Sequence, residues 1–170
     1  IAGAQYVYGD AGHVRTCEEV FNGAFAVFNL AAHVAGVGYN QSHQTEMFEK
    51  NIRLQTAPMI AAAAAKVPHV LQTSSVCVYA PEHNHPAKEE NGQVGEPHPA
   101  NAGYAWAKRM GERAALWAGL THCVIVRPSN IYGPRDYFDE RAHVIPALIR
   151  KALEDDTIIV NGSGQEQREF

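Results

Sequence analysis

Three kinds of residue are scarce in this chain, and each scarcity removes a class of protein. Cysteine is rare: Cys17, Cys77 and Cys123 are an odd number with no metal-ligand spacing, which excludes a disulfide framework and points to reduced thiols in a cytoplasmic setting. Basic residues are outnumbered: 14 Lys and Arg face 18 Asp and Glu, a net charge of -4. That argues against a general nucleic-acid binder but leaves room for a nucleotide held by a local patch. Long apolar runs are missing; the longest, near residues 60–65, is far too short to cross a bilayer, so no membrane partner is expected. Nine histidines are many. His83 and His85 fall in a proline-rich loop, where solvated imidazoles are the simpler reading than a metal site. No internal repeat stands out.

What is present is enough apolar sequence for a core. With 46% apolar residues in 170, the chain suits one domain, or one and a fraction. Residues 1–8 read as a strand ending at Gly9-Asp10, and Thr16 to Glu19 as a capping box opening a short helix. Residues 24–30 read as a buried strand running into Ala31-Ala32. Residues 42–66 read as a helix, with a bend or break expected just before Pro58, because an interior proline removes a backbone bond. Residues 68–75 form a strand ending at Ser74-Ser75. A long polar loop, 76–103, leads to a helix over 101–118. Residues 121–127 form another strand, closed by Pro128. His143 opens a further helix with Pro146 near its start, and 157–160 is a last strand. Such alternation predicts an α/β fold with a parallel sheet covered on both faces. Ligands in such sheets bind beyond the carboxyl ends of the strands, where Ala31, Ala32, Ser75, Cys77 and Asn130 all fall.

The chemistry gathers around Tyr104-Ala105-Trp106-Ala107-Lys108. Residues four apart share a helix face, so phenol and ammonium point the same way. A nearby cation is expected to lower the phenol's pKa, and the hydroxyl of Ser75 is placed to hold a carbonyl oxygen against it. Taken alone, the five residues read more simply as a surface helix with a chance Tyr and Lys, because the pattern is short. With the order of motifs around them, the chain resembles the extended branch of the short-chain dehydrogenase/reductases, the NAD-dependent epimerase/dehydratase family.

The resemblance implies a partial Rossmann-like doubly wound fold, with a dinucleotide-binding domain over 1–135 and the start of a substrate region over 136–170. It implies NADP or NAD as cofactor, held by Asp10 at the adenine and by Leu30, Ala31, Ala32, Thr73, Ser74, Tyr104, Lys108, Pro128, Ser129, Asn130 and Ile131. Ser75, Tyr104 and Lys108 would be catalytic. Asn51 would support the site, a solvated polar residue being the plainer alternative. The Gly-x-Gly-x-x-Gly turn of such folds is absent; Gly36 and Gly38 follow the wrong strand. The resemblance therefore starts at about the family's third strand, as expected for an internal piece of a longer enzyme.

Within the family, the pattern is similar to that of GDP-L-fucose synthases. Cys77 and His143 match that branch's base and acid for epimerising a 4-keto sugar, with Asn130, Lys151 and Arg168 toward the substrate. Singly, Cys77 reads as a small buried hydrophobe and His143 as a helix cap. Lys151 replaces the usual arginine and Asn161 an aromatic residue, which leaves the nucleotide and sugar open. A nucleotide-sugar 4-epimerase needs only the serine, tyrosine and lysine. A non-catalytic dinucleotide sensor would need none of them. Small residues along 102–118, with the family's helix pairing, lead to the expectation of a homodimer.

Overall fold

Three short runs of apolar residues pair side by side in the computed structural model, which describes residues 3–82, 87–139, 142–155, 157–159 and 163–165. Strands β1 (Ala26–Asn29), β2 (His69–Thr73) and β3 (His122–Val126) form one parallel sheet in the order β1-β2-β3. Helices α1 (Val14–Phe21), α2 (Val37–Ser42), α3 (Gln44–Ala64), α4 (Ala102–Trp117) and α5 (Val144–Glu154) complete the order α1-β1-α2-α3-β2-α4-β3-α5.

Period-two alternation splits the sheet into two faces. Val27, Val70 and Cys123 lie in register on one face. There Met59, Ala62 and Ala115 from α3 and α4 close the core, with Phe21 and Leu120 at its edge. Phe28, Leu71 and Val124 lie in register on the other face. Among the described residues that face is open, with Phe28 66% and Val124 58% exposed. The parallel α/β sheet expected from the alternation is present, but the cover expected on both faces is seen, among the described residues, on the α3–α4 side alone.

The contact of α3 with α4 depends on Gly111. A Cβ there would come within 2.6 Å of the Gln55 Cβ. Alanine would gain about 1 kcal/mol of helix propensity, but overpacking costs about 1–3 kcal/mol, so glycine is the better residue. Gln44 at the start of α3 accepts from the Gly103 N–H at 2.6 Å and donates to the Pro99 and Ala100 carbonyls. It thereby caps α4 from a neighbouring helix, since Asn101 makes no side-chain cap.

Several expectations are corrected. Of the bend or break expected before Pro58, the break is not formed: helix α3 is continuous through Pro58. The proline leaves the Leu54 carbonyl without its N–H partner, and the Asn29 amide fills that place at 3.0 Å. The predicted strand over 1–8 is not formed in its described part, and Tyr6, Val7 and Tyr8 stand in solvent, because no described segment lies alongside to complete a ladder. Residues 157–159 form no strand either, and Val160 lies outside the described residues. The helix expected at Thr16 begins earlier, with His13 as N-cap; Thr16 turns its methyl against Gly9. The long loop contains three short stretches of 3₁₀ helix, Val76–Val78, Glu89–Gln93 and Pro99–Asn101. Helix α2 was not visible in the sequence pattern. No described helix is long and apolar enough to cross a membrane.

Candidate active site

A cavity of about 310 Å³ opens beyond the carboxyl ends of the three strands. Leu30, Ala32, Thr73, Ser74, Ser75, Cys77, Tyr104, Lys108, Pro128, Ser129, Asn130, Ile131 and His143 all line it. The fold thus collects in one place residues that are more than a hundred positions apart in the chain.

Two helices hold the strand ends by side chains one turn apart. On α3, Asn51 is fully buried; its amide accepts from the His33 N–H and donates to the His33 carbonyl, both at 2.9 Å. The solvated reading of Asn51 is therefore wrong. One turn on, Gln55 donates to the Ala31 carbonyl at 3.1 Å. Gln72 donates to Gln55, Asn29 donates to Gln72, and the Ala31 N–H donates to Asn29. These bonds close a ring that starts at the Ala31 N–H and ends at the Ala31 carbonyl. Ala31 consequently serves through its backbone, and its side chain does not line the cavity.

On α4, Lys108 donates to the Thr73 carbonyl at 2.7 Å, and one turn on Glu112 accepts from the Ser74 hydroxyl at 2.5 Å. Glu112 also takes a two-pronged bond from Arg127, each arm 2.8 Å, and one from Gln93 at 2.7 Å. Burial pushes the Glu112 carboxyl up, but the bonds from Arg127, Ser74 and Gln93 outweigh it and hold it below the ordinary range. Two backbone bonds, Ser74 N–H to Val126 O and Val76 N–H to Pro128 O, carry the β2–β3 pairing past the strand ends. Ser75 caps the next turn by accepting from the Cys77 N–H at 3.2 Å. Ser74 is thus engaged with Glu112, and Ser75 is left facing Tyr104.

The electrostatics reverse one expectation. Burial raises the Tyr104 pKa above the ordinary phenol, a Cys77 thiolate adds to the rise, and a bond with Ser75 only partly offsets it. Lys108 does not lower it: its Nζ stands 5.6 Å from the Tyr104 ring centre and bonds to Thr73 instead. Lys108 is 1% exposed, and burial brings its own pKa down to about 8. Desolvation outweighs the mutual attraction that spacing alone suggested.

The other predicted residues fall as follows. His143 is the N-cap residue of α5 but its side chain makes no capping bond; Nδ1 lies 3.9 Å from an Asp136 oxygen. Asp10 lines a second cavity with Gly12, His33, Lys50 and Arg53. Ala32 borders both cavities. Lys151 lies on α5, 3.5 Å from the Ile159 carbonyl, and does not line the main cavity. Arg168, Asn161, His83 and His85 lie outside the described residues. Among the described residues no group of His, Cys, Asp or Glu is arranged to hold a metal. Sequence reading missed Asn40, which lines the cavity and donates to Asn101 at 3.1 Å. It also missed Glu112, Arg127, Gln55 and Gln72. The available signal was the fourfold spacing, Asn51 with Gln55 and Lys108 with Glu112.

The sequence pattern of the NAD dependent epimerase/dehydratase family matches residues 2–170. The chain belongs to that family. Among its relatives, the GDP-L-fucose synthase of Dictyostelium discoideum is 33% identical over 152 residues, 85% of this chain and 48% of that protein. A crystal structure of a GDP-L-fucose synthetase from Naegleria fowleri bound to NADP superposes with a TM-score of 0.76 at 28% identity, covering 85% of this chain and 47% of that one. UDP-N-acetylglucosamine 4-epimerase from Methanobrevibacter ruminantium M1, in complex with UDP-N-acetylmuramic acid, gives a TM-score of 0.79 at 25% identity over 96% of this chain and 52% of that one. The chain spans about half the length of the curated relatives it matches.

Proposed function

We propose that this chain carries the catalytic centre of an NAD(P)-dependent nucleotide-sugar epimerase/reductase, similar to GDP-L-fucose synthase, acting on a 4-keto-6-deoxy sugar nucleotide. The observation that carries this reading is the meeting of Ser75, Cys77, Tyr104, Lys108 and His143 on one cavity. The wall suits a dinucleotide: the stretch after β1 offers small Ala32 and Ala35 side chains, and the buried Thr73 hydroxyl has no hydrogen-bond partner. Leu30, Ala32, Thr73, Pro128, Ser129, Asn130 and Ile131 would hold it, with Asp10 at the second cavity. When bound, the nicotinamide supplies or accepts the hydride.

The protein's own groups divide the rest of the work. Ser75 and Tyr104 hydrogen-bond the sugar's keto oxygen, which stabilises the negative charge that develops there when a neighbouring carbon loses its proton. Cys77 removes that proton as thiolate, and His143 returns one to carbon with the new configuration. In the reduction, the Tyr104 phenol gives its proton to the oxygen as the carbonyl carbon becomes a carbinol. The burial that keeps Tyr104 protonated suits a proton donor. A 4-epimerase of the same family is the second reading, supported by the likeness to the Methanobrevibacter enzyme over 96% of this chain.

The two readings part on Cys77. With the complete protein, deuterium uptake from solvent into a 4-keto-6-deoxy sugar nucleotide, followed by NMR, should fall about 10²- to 10⁴-fold in Cys77→Ser, since a hydroxyl does not ionise near neutral pH. Tyr104→Phe should stop reduction while leaving slow exchange. Equal uptake by wild type and Cys77→Ser would return the protein to the 4-epimerase reading.

A further inference from the structure

Helix α4 is fastened to the end of β2 at two successive residues, and only one fastening involves a residue of the proposed chemistry. Lys108 holds the Thr73 carbonyl; Glu112, one turn on and outside the cavity wall, holds the Ser74 hydroxyl. Glu112 is 3% exposed and accepts four hydrogen bonds, from Ser74, Gln93 and both arms of Arg127. Arg127 sits immediately before Pro128, and its guanidinium also donates to the Tyr79 hydroxyl and the Glu89 carbonyl. One carboxylate therefore ties together four pieces: the helix bearing Tyr104, the β2 end bearing Ser75, the β3 end bearing Pro128 to Ile131, and the loop after Cys77.

A buried ion pair adds little net stability compared with apolar residues of the same shape. Its use lies in geometry, because a fully satisfied polar network admits one arrangement, and a reacting constellation tolerates displacements of only about half an ångström. We propose that Glu112 is a positioning residue: by holding Ser74 and Arg127 at once, it sets the Ser75 hydroxyl against Tyr104 and the Lys108 ammonium against Thr73. The effect on rate rests on the reading of Tyr104 and Ser75 given above; the effect on geometry does not.

The test uses the complete protein and two changes that conserve net charge, Ser74→Ala and the pair Glu112→Gln with Arg127→Met. The first readout is the titration of Lys108, followed by NMR on lysine labelled with carbon-13 beside the amine and assigned by Lys108→Met. The second is the pH profile of sugar-nucleotide reduction. Loosening the β2 end hydrates Lys108, so its midpoint should rise by at least half a pH unit in both variants. The reduction rate should fall about 10- to 100-fold with less than threefold change in KM. Thermal melting identifies a variant that no longer folds; should the paired change unfold, Ser74→Ala, which removes one hydroxyl, decides alone. A Lys108 midpoint and rate profile unchanged in the folded variants would overturn the proposal. If the complete protein reduces no 4-keto sugar nucleotide, the proposed function fails, and the Lys108 titration still decides the role of Glu112.

Discussion

At the scale of single residues, the deciding quantity is desolvation. Lys108 is charged in the unfolded chain up to its ordinary pKa of 10.5, and in the folded chain only up to about 8. Between those values the unfolded state binds more protons, so stability rises with pH across that window. The penalty for keeping Lys108 charged at neutral pH amounts to about 3 kcal/mol. Tyr104 works in the opposite sense: its folded pKa lies above the ordinary phenol value of 10.0, so it favours the folded state below that pH and loses stability above it. The window from pH 8 to 10 therefore separates the lysine from the tyrosine, and comparison with Lys108→Met removes the contribution of the thiols Cys17 and Cys123, which titrate in the same range. The urea midpoint of wild type should climb relative to Lys108→Met over that range. A constant difference between the two proteins from pH 7 to 10 would show that Lys108 keeps an ordinary pKa when folded.

At the scale of elements, the paired fastenings of α3 and α4 explain both what the sequence revealed and what it hid. Pro58 and Asn29 make the clearest case. Asn29→Ala strips a partner from the Leu54 carbonyl and should cost about 1–3 kcal/mol. In a Pro58→Ala background the new N–H can serve that carbonyl, and the cost should shrink by about 1 kcal/mol. Equal denaturation shifts for Asn29→Ala in the two backgrounds would show that the amide does not stand in for the missing backbone bond. This compensation also shows why the break at Pro58 was misjudged. Proline chemistry is local, and its remedy came from a strand 29 positions earlier. The three paired strands, the long helices and the gathering of Ser75, Tyr104 and Lys108 were legible because period and spacing are local signals. The buried roles of Asn29 and Gln72 were not, because a polar residue in a strand carries no mark of its partner. The lowered phenol pKa was misjudged for the same reason: spacing reveals a neighbour but not the burial of both.

At the scale of the whole molecule, the small residues of α4 serve contacts inside the chain. Ala107, Gly111 and Ala115 are buried, whereas Phe48, Ile60, Leu116 and Trp117 of α3 and α4 remain in solvent, Trp117 77% exposed. We propose that these outer faces meet a second copy. The complete protein should sediment at twice its monomer mass at micromolar concentration, and Ile60→Glu should halve that mass. A monomer in wild type would exclude the pairing. The ring of amides through Ala31 has a consequence of its own. Each member gives a hydrogen to the next in one rotational sense, from Ala31 to Asn29, Gln72, Gln55 and back. The Ala31 N–H can only give and the Ala31 carbonyl can only receive, so the direction of the whole circuit is locked by the backbone. A carboxylate at any of the three side-chain positions, even one of matching shape, would stop the current at that point. Strand, helix and loop must therefore drift together at these positions or not at all, and a family of variants should gain or lose the three amides as a single inherited unit.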